Sequence, residues 1–207
     1  MTENAPVVIV VDDDPSLRNM ISRLLSTIGL KSILYGSPEE FLKKPAPDGP
    51  ACLVLDVQMP GLSGLDLQRE LVNSKHRHPI VFMTGHGDIP MSVQAIKAGA
   101  VAFLTKPFRN QDLLDAVKEA INLDREARQR SFELANLRER YESLTARERE
   151  VFALVATGLL NKQIALELGT TERTVKAHRG QMVLKMQADS VADLVRMADK
   201  LGVSHSH

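Results

Sequence analysis

Short runs of consecutive apolar residues alternate with segments of helical periodicity through the first 120 or so positions. Val7–Val11 is apolar throughout, as a parallel strand buried on both faces requires. It stops at Asp12-Asp13-Asp14. Pro15 then suits the first position of a helix capped by Asp14, with Leu17, Ile21, Leu24, Leu25 and Ile28 on one face and Gly29 as the stop. Ser32–Tyr35 reads as a second strand, and Ser37-Pro38-Glu39-Glu40 as a capping box opening a short helix. The rhythm continues. Cys52–Leu55 ends in Asp56 and precedes a helix over Gly64–Val72. Ile80–Met83 ends in Thr84 and precedes a helix over Ile89–Ala98. Ala102–Leu104 ends near Lys106, and the next helix starts at Gln111. Five strand-then-helix units predict the α/β class, a five-stranded parallel sheet wound on both faces by helices.

Residues 143–207 lack that alternation. Thr145-Ala146-Arg147-Glu148 is a capping box opening a helix to about Thr157, and Asn161–Leu168, Glu172–Met186 and Ser190–Leu201 read as three more helices. This is a separate all-α, four-helix domain. The expected organisation is a first domain over 1–122, a helical linker over 123–142, and a second domain over 143–207. Residues 111–144 contain neither proline nor glycine. Sevens counted from Leu113 give Leu113, Ala116, Ala120, Leu123, Ala127, Arg130, Leu134, Leu137, Tyr141 and Leu144, a seam broken only by Arg130. Two readings stay open: one long helix able to pair with a second copy, or a domain helix followed by a separate solvated linker helix.

Composition narrows the class. The chain has 207 residues, 43% of them hydrophobic and 25% charged, the profile of a globular protein. No apolar run approaches the roughly 20 residues that span a bilayer, and the start Met1-Thr2-Glu3-Asn4 has no basic segment of the secretory kind. A single cysteine, Cys52, excludes an intrachain disulfide framework and fits a reducing cytoplasm, the expected location. Net charge is zero, but its distribution is uneven. Residues 1–123 carry 12 basic and 14 acidic side chains, 124–143 carry 5 of each, and 144–207 carry 9 and 7. Within 161–185 the count is 5 against 2, which permits nucleic-acid binding without showing it.

Chemistry concentrates where the strands end. In an open parallel sheet ligands bind at the carboxyl edge, and the residues placed there are Asp12, Asp13, Asp56, Thr84 and Lys106. Three carboxylates within a few ångströms repel one another and call for a cation. An all-oxygen site open to water suits Mg²⁺. Asp56 on the central strand is placed to act as both ligand and nucleophile, giving an aspartyl phosphate whose oxygens Lys106 and the metal neutralise and to which Thr84 donates its hydroxyl. His86 is a weak metal-ligand candidate, and Gly85-His86-Gly87-Asp88 reads as a loop rather than a phosphate-cradling turn.

At these positions the chain resembles the bacterial receiver family, and over its whole length the FixJ type of two-component response regulator. The resemblance is carried by Val10-Val11-Asp12-Asp13-Asp14, Leu55-Asp56-Val57-Gln58-Met59-Pro60-Gly61, Met83-Thr84-Gly85-His86-Gly87-Asp88 and Phe103-Leu104-Thr105-Lys106-Pro107-Phe108, and covers roughly residues 5–122. It implies a flavodoxin-like receiver phosphorylated at Asp56 by a sensor histidine kinase. It also implies Mg²⁺ held by Asp13, Asp56 and the Gln58 carbonyl with Asp12 assisting through water, and a switch in which Thr84 moves toward the phosphoryl group while Phe103 turns inward. A cis bond before Pro107 and tuning of phosphoryl lifetime at Gln58 and His86 belong to the same resemblance. The main rival is an aspartyl-phosphate phosphatase or phosphotransferase. Such enzymes commonly carry a second acid two residues after the nucleophile, where this chain has Gln58, so the expectation is a regulator rather than an enzyme. A receiver acting on a protein partner is the third reading.

The last domain supplies the second half of the case. Gly169-Thr170-Thr171 between two helices has the form of a helix-turn-helix connection. The following helix is expected to bury Val175, Met182 and Met186, together with Val183, and to leave Arg173, Lys176, Arg179 and Gln181 for a groove. Lys162 and Thr171 read as phosphate contacts, and Lys176, His178 and Arg179 as base-edge or groove candidates. The chain here resembles the LuxR-type helix-turn-helix over about 143–203, through Leu144-Thr145-Ala146-Arg147-Glu148-Arg149-Glu150-Val151, Gly158-Leu159-Leu160-Asn161-Lys162-Gln163-Ile164-Ala165 and Thr174-Val175-Lys176-Ala177-His178-Arg179. The resemblance implies double-stranded promoter DNA as a partner, with Thr174 and Ala177 in the contact set, dimeric operator binding, and RNA polymerase as a further candidate partner. Gly180 departs from subfamilies that have lysine there, and a mid-helix glycine costs about 1 kcal/mol relative to alanine. The expected mechanism is a population shift: phosphate on Asp56 favours a face near Phe103, bordered by Met91, Val93, Gln94 and Lys97, that forms a homodimer and sets two recognition helices on neighbouring half-sites. No membrane partner is expected, and Ser204-His205-Ser206-His207 reads as a tail.

Overall fold

The structure is a computed structural model that describes residues 5–45, 47–71, 78–85 and 89–203. Its elements divide between two compact units, Met1–Arg128 and Gln129–His207.

In the first unit β1 (Val7–Val11), β2 (Lys31–Tyr35), β3 (Ala51–Asp56), β4 (Ile80–Thr84) and β5 (Ala102–Thr105) form one parallel sheet in the order β2-β1-β3-β4-β5. This is the flavodoxin-like order, with its reversal beside β1. Alternate strand residues face opposite layers. Val8, Val10, Cys52, Val54, Val81 and Met83 pack under α1 (Pro15–Ser26) and the start of α5 (Asn110–Glu142). Ile9, Val11, Leu53, Leu55, Ile80 and Phe82 pack under α2 (Pro38–Leu42), α3 (Gly64–Leu71) and α4 (Ile89–Lys97). Because both faces are covered, the central strands read as unbroken apolar runs.

The predicted caps hold with one difference. Asp14 caps α1 through the Ser16 amide, with Pro15 following it. Ser37 caps α2 by accepting from the Glu40 amide, but the Glu40 carboxylate accepts from Gly36 rather than from the cap residue's own amide, so the capping box is half formed. The predicted end of the third helix at Val72, the predicted loop over 86–88, and the tail from Ser204 lie outside the described residues.

A single helix of 33 residues, α5, starts at Asn110 and runs through the 111–144 segment as far as Glu142. Its heptad positions are nevertheless divided. Leu113, Ala116 and Ala120 are buried in the first unit's core, while Leu137 and Leu144 are buried in the second's, with Tyr141 packed edge-on to Phe152. Only the stretch around Leu123, Ala127 and Arg130 lies uncovered. The helix is continuous, as the first reading expected, and its seam is used at both ends by packing within the chain.

The second unit adds α6 (Ala146–Ala156), α7 (Asn161–Glu167), α8 (Glu172–Met186) and α9 (Val191–Leu201) around Val151, Phe152, Leu154, Ile164, Val175, Met182, Met186 and Leu194. The Thr145–Glu148 capping box is complete. Glu148, itself buried, also takes the Lys185 ammonium at 2.6 Å, which ties α6 to α8 and holds the carboxyl below the usual carboxylate range.

A buried polar cluster closes the amino end of the sheet. The Asp124 carboxylate accepts from the Ala51 amide at 2.8 Å and from Arg128 Nε at 2.8 Å, with His78 Nδ1 3.9 Å away. Arg128 donates further to the carbonyls of Pro47 and Asp48. Burial by itself raises the Asp124 pKa. The neighbouring His78 ring, the Ala51 amide and Arg128 outweigh it, and the net shift is downward. A depressed folded-state pKa contributes stability that is present above the unfolded value of about 3.9 and is lost as pH falls through the folded one. Asp124→Ala leaves the Ala51 amide without its acceptor and should cost the first unit about 1–3 kcal/mol at neutral pH. Urea unfolding of both proteins should show that gap narrowing as the pH drops below about 4. A gap of equal size at both pH values would contradict the assignment.

Candidate functional site

The carboxyl edge of the sheet gathers side chains from three strand ends into one pocket. Asp12 follows β1 and is fully buried, Asp13 next to it is exposed, and Asp56 ends β3 with only 5% of its surface exposed. One carboxylate oxygen from each lies within 4.8 Å of the others. The Lys106 ammonium, reaching in after β5, sits 2.8 Å from Asp12 Oδ2 and 2.8 Å from Asp56 Oδ2. Burial raises the Asp12 pKa, and Lys106 and the Asp14 amide offset only part of the rise. For Lys106 burial works toward a lower pKa, but the hydrogen bonds to Asp12 and Asp56 prevail and hold the ammonium more firmly protonated.

Local backbone chemistry aims these groups. The Asp14 amide donates to Asp12 Oδ1 at 2.8 Å, Arg18 donates to the Asp12 carbonyl, and the Gln58 amide donates to Asp56 Oδ1 at 3.2 Å. Lys106 N donates to the Thr84 carbonyl at 2.7 Å, fixing the exit of β5 against that of β4. The Lys106–Pro107 bond is cis, as the resemblance implied. Thr84 is fully buried at the end of β4. Phe103 pairs in register with Phe82, and their rings lie 6.2 Å apart between centroids.

Two residues that support the pocket were not singled out in the sequence. A Cβ on Gly64 would stand 2.2 Å from the Asp56 carbonyl oxygen, so the start of α3 packs backbone to backbone beneath the loop after Asp56, where the Gly64 amide also donates to the Val57 carbonyl at 3.0 Å. The available signal was a glycine opening a helix where no turn required one. Gln68, buried on α3, donates to the carbonyls of Ala95 and Ala98 and fastens the end of α4.

The donor set fits a hard divalent cation. Asp12, Asp13 and Asp56 supply only oxygen, and Asp13 keeps the pocket open to water, which Mg²⁺ needs because it dehydrates reluctantly.

In the second unit Gly169, with φ at +60°, makes the turn between α7 and α8, a backbone region that side chains disfavour. Thr171 caps α8 through the Thr174 amide and also pairs with the Thr174 hydroxyl. Val175, Met182 and Met186 are buried as expected, and Val183 is partly so. Arg173, Lys176, Ala177, Gly180 and Gln181 form the exposed face, and Lys162 is exposed on α7. His178 and Arg179 are half-buried, and Arg179 donates to Asn161 Oδ1 at 2.8 Å. The geometry thus spends the Arg179 guanidinium at least partly on bracing α7 against α8. Asn161 was not foreseen as its partner, because nothing in the spacing of residues 161 and 179 announces a contact. Arg147 braces the same turn by donating to the Leu168 carbonyl at 2.7 Å.

Comparisons with known proteins agree with this architecture. Residues 8–118 match the response regulator receiver domain, and residues 142–198 match the bacterial regulatory proteins of the luxR family. Nodulation protein W of Bradyrhizobium diazoefficiens is 52% identical, over 97% of this chain and 88% of that protein. Response regulator protein TodT of Pseudomonas putida is 45% identical over the same shares. Among solved structures the response regulator StyR is 45% identical with a TM-score of 0.85, over 95% of this chain and 99% of that one. Full-length FixJ from B. japonicum is 35% identical with a TM-score of 0.56, over 99% and 100%.

The packing under Asp56 yields a direct test. Gly64→Ala forces a methyl into a backbone carbonyl, and overpacking of that kind costs about 1–3 kcal/mol. Denaturant unfolding of the first unit should register the loss, and an unchanged midpoint would show that the close approach is not maintained in solution.

Proposed function

Since the chain belongs to the two-component response regulators that carry a LuxR-type DNA-binding domain, we propose that Asp56 is its phosphoacceptor and that phosphate there promotes dimerisation and promoter binding. The observation that carries this reading is the Lys106 ammonium bridging Asp12 and Asp56 with Asp13 beside them.

A sensor histidine kinase presents a phosphohistidine to the pocket. An Asp56 carboxylate oxygen attacks phosphorus, the P–N bond breaks with its electron pair returning to the imidazole, and the acyl phosphate stays on Asp56. Lys106 neutralises a phosphoryl oxygen, and the Thr84 hydroxyl donates to another. Asp12, Asp13, Asp56 and the Gln58 carbonyl would hold Mg²⁺, which when bound would neutralise charge on the phosphoryl oxygens. As Thr84 is drawn toward the phosphate, Phe103 turns into the space behind it. The face bordered by Met91, Val93, Gln94 and Lys97, where Val93 and Ile96 are already exposed, then pairs with a second copy. With Gln58 two residues after the phosphoacceptor and no second acid there, the phosphoryl group is stored as a signal and not turned over on a substrate.

Dimerisation brings two α8 helices to adjacent half-sites. Lys162, Thr171 and Arg173 contact phosphates, Lys176, Ala177 and Gln181 face base edges, and Thr174, His178 and Arg179 border the groove and hold the helix in place. RNA polymerase is a further partner at the promoter. The protein works in the cytoplasm; among the described residues no helix is long and apolar enough to cross a membrane.

Asp56→Asn keeps the fold but removes the nucleophile. Treated with a small phosphodonor and Mg²⁺, the wild-type chain should take up one phosphate and shift toward dimer in light scattering, while the variant and an EDTA-treated sample should not. A full dimer shift in the variant would reject Asp56 as the trigger. Lys176→Ala should weaken selected duplex DNA by about 1–3 kcal/mol, read by titration at fixed salt, and unchanged affinity would remove α8 from the groove.

A further inference from the structure

Asp13 is the exposed member of the three acids, and its side chain takes no hydrogen bond or ion pair among the described residues. The other two are aimed by partners of their own. Lys106 lies between Asp12 and Asp56, the Asp14 amide donates to Asp12 Oδ1, and the Gln58 amide donates to Asp56 Oδ1. The direction of the Asp13 carboxylate therefore rests on its backbone, and bonds made by neighbouring residues set that backbone. The 12–13 peptide is held by its carbonyl, which accepts from Arg18 Nη1. The 13–14 peptide is held by its amide, which donates to Asp12 Oδ1 at 2.8 Å. Together these two bonds fix both soft dihedrals of Asp13.

One of the two comes from a charged side chain on another element. Arg18 stands near the start of α1 and is half-buried. A guanidinium presents a fork of donors that suits a carboxylate, yet this one forms no ion pair with a described acid and donates to a main-chain oxygen. Its seat lies at the exit of β2. Nη1 and Nη2 lie 3.7 and 3.8 Å from where a Cβ on Gly36 would stand, and the Gly36 amide is taken by the Glu40 carboxylate at 2.8 Å. The Asp12 amide donates to the Tyr35 carbonyl at 3.3 Å. The main chain of Asp12 is thus pinned on both sides, by β2 at its amide and by α1 at its carbonyl.

We propose that Arg18 is a positioning residue for the divalent cation: by holding the Asp12 carbonyl it aims the Asp13 carboxylate and raises the affinity of the pocket for Mg²⁺. The proposal deepens the reading of the pocket given above and rests on it. A guanidinium beside a cation site acts in two opposed ways. As a charge it repels the ion. As a bond that orients a ligand it strengthens binding, and such outer partners are commonly worth about 10- to 100-fold in metal affinity. Because the signs differ, the direction of the change on removing Arg18 tells the two apart.

The test is calorimetric titration of the full-length, unphosphorylated chain with magnesium chloride at fixed ionic strength. Arg18→Met removes the donors and the charge, and should weaken Mg²⁺ binding about tenfold or more, whereas loss of a repelling charge alone would tighten it. Arg18→Lys, which keeps a charged donor, should recover most of the loss. Arg18→Gln is the second loss variant should the methionine chain melt too early to titrate, and the same weakening is expected of it. Phosphate uptake from a small phosphodonor is then followed across Mg²⁺ concentrations. The half-saturating Mg²⁺ should rise by the factor seen in calorimetry, while the rate at saturation stays within about twofold of wild type. Unchanged or tighter Mg²⁺ binding in a folded Arg18→Met or Arg18→Gln would overturn the role of Arg18, as would a saturating rate that falls as far as the affinity. Asp13→Asn titrated alongside separates two failures. If it loses Mg²⁺ while the Arg18 variants keep it, only Arg18 is misassigned; if it binds as the wild type does, these acids do not hold the cation and the reading beneath falls as well.

Discussion

Two carboxylates that would repel each other are held on either side of one ammonium, and the rest of the first unit can be understood as the scaffold for that arrangement. Unit charges about 4 Å apart cost or gain about 4 kcal/mol at an effective dielectric of 20. The pocket is therefore a place where small displacements carry large energies. Asp12 is fully buried and Asp56 nearly so, and neither can relieve repulsion by swinging into solvent. Lys106 is anchored at its own backbone by the Thr84 carbonyl, so the counter-charge is as fixed as the charges it meets. With three carboxylates against one ammonium, the pocket keeps a surplus of negative charge that suits a hard divalent cation.

What the residues disclose in advance follows from how the sheet is buried. A parallel sheet covered on both faces turns its central strands into unbroken apolar runs, which is why Val7–Val11 and Ile80–Thr84 can be read directly, and why the first polar residue after each run falls in the pocket. Asp12 and Asp56 were legible for that reason, whereas Lys106 lies one residue beyond Thr105, the end of the partly exposed edge strand β5. Gly64 was not, because its requirement comes from the Asp56 carbonyl oxygen, eight positions earlier in the chain, and only the folded loop brings the two together. The heptad seam was legible only in part, as one continuous helix. Its spacing is real, but a period of seven records that one helix face is apolar without saying which surface covers it. Leu113 and Leu137 are covered by separate cores of the same chain.

The second unit divides the same way. The Thr145–Glu148 box and the buried residues of α8 were readable from local spacing, because caps and helix faces are short-range features. The bonds from Lys185 to Glu148 and from Arg179 to Asn161 were not. Each joins residues on different helices, and a sequence alone has no register between helices to reveal them. The outcome is a recognition helix whose positive charges are sorted into those spent on the domain and those left outward, a distinction that a count of basic residues cannot make.

The Arg179–Asn161 hydrogen bond complicates any map of this domain drawn from single substitutions. Removing either partner would loosen the joint between the two helices, and any change in DNA binding that followed would be scored as a contact with the nucleic acid even where the lost bond lies wholly within the protein. Only a thermodynamic cycle, comparing both single changes with the double, can assign that loss to the joint or to the groove.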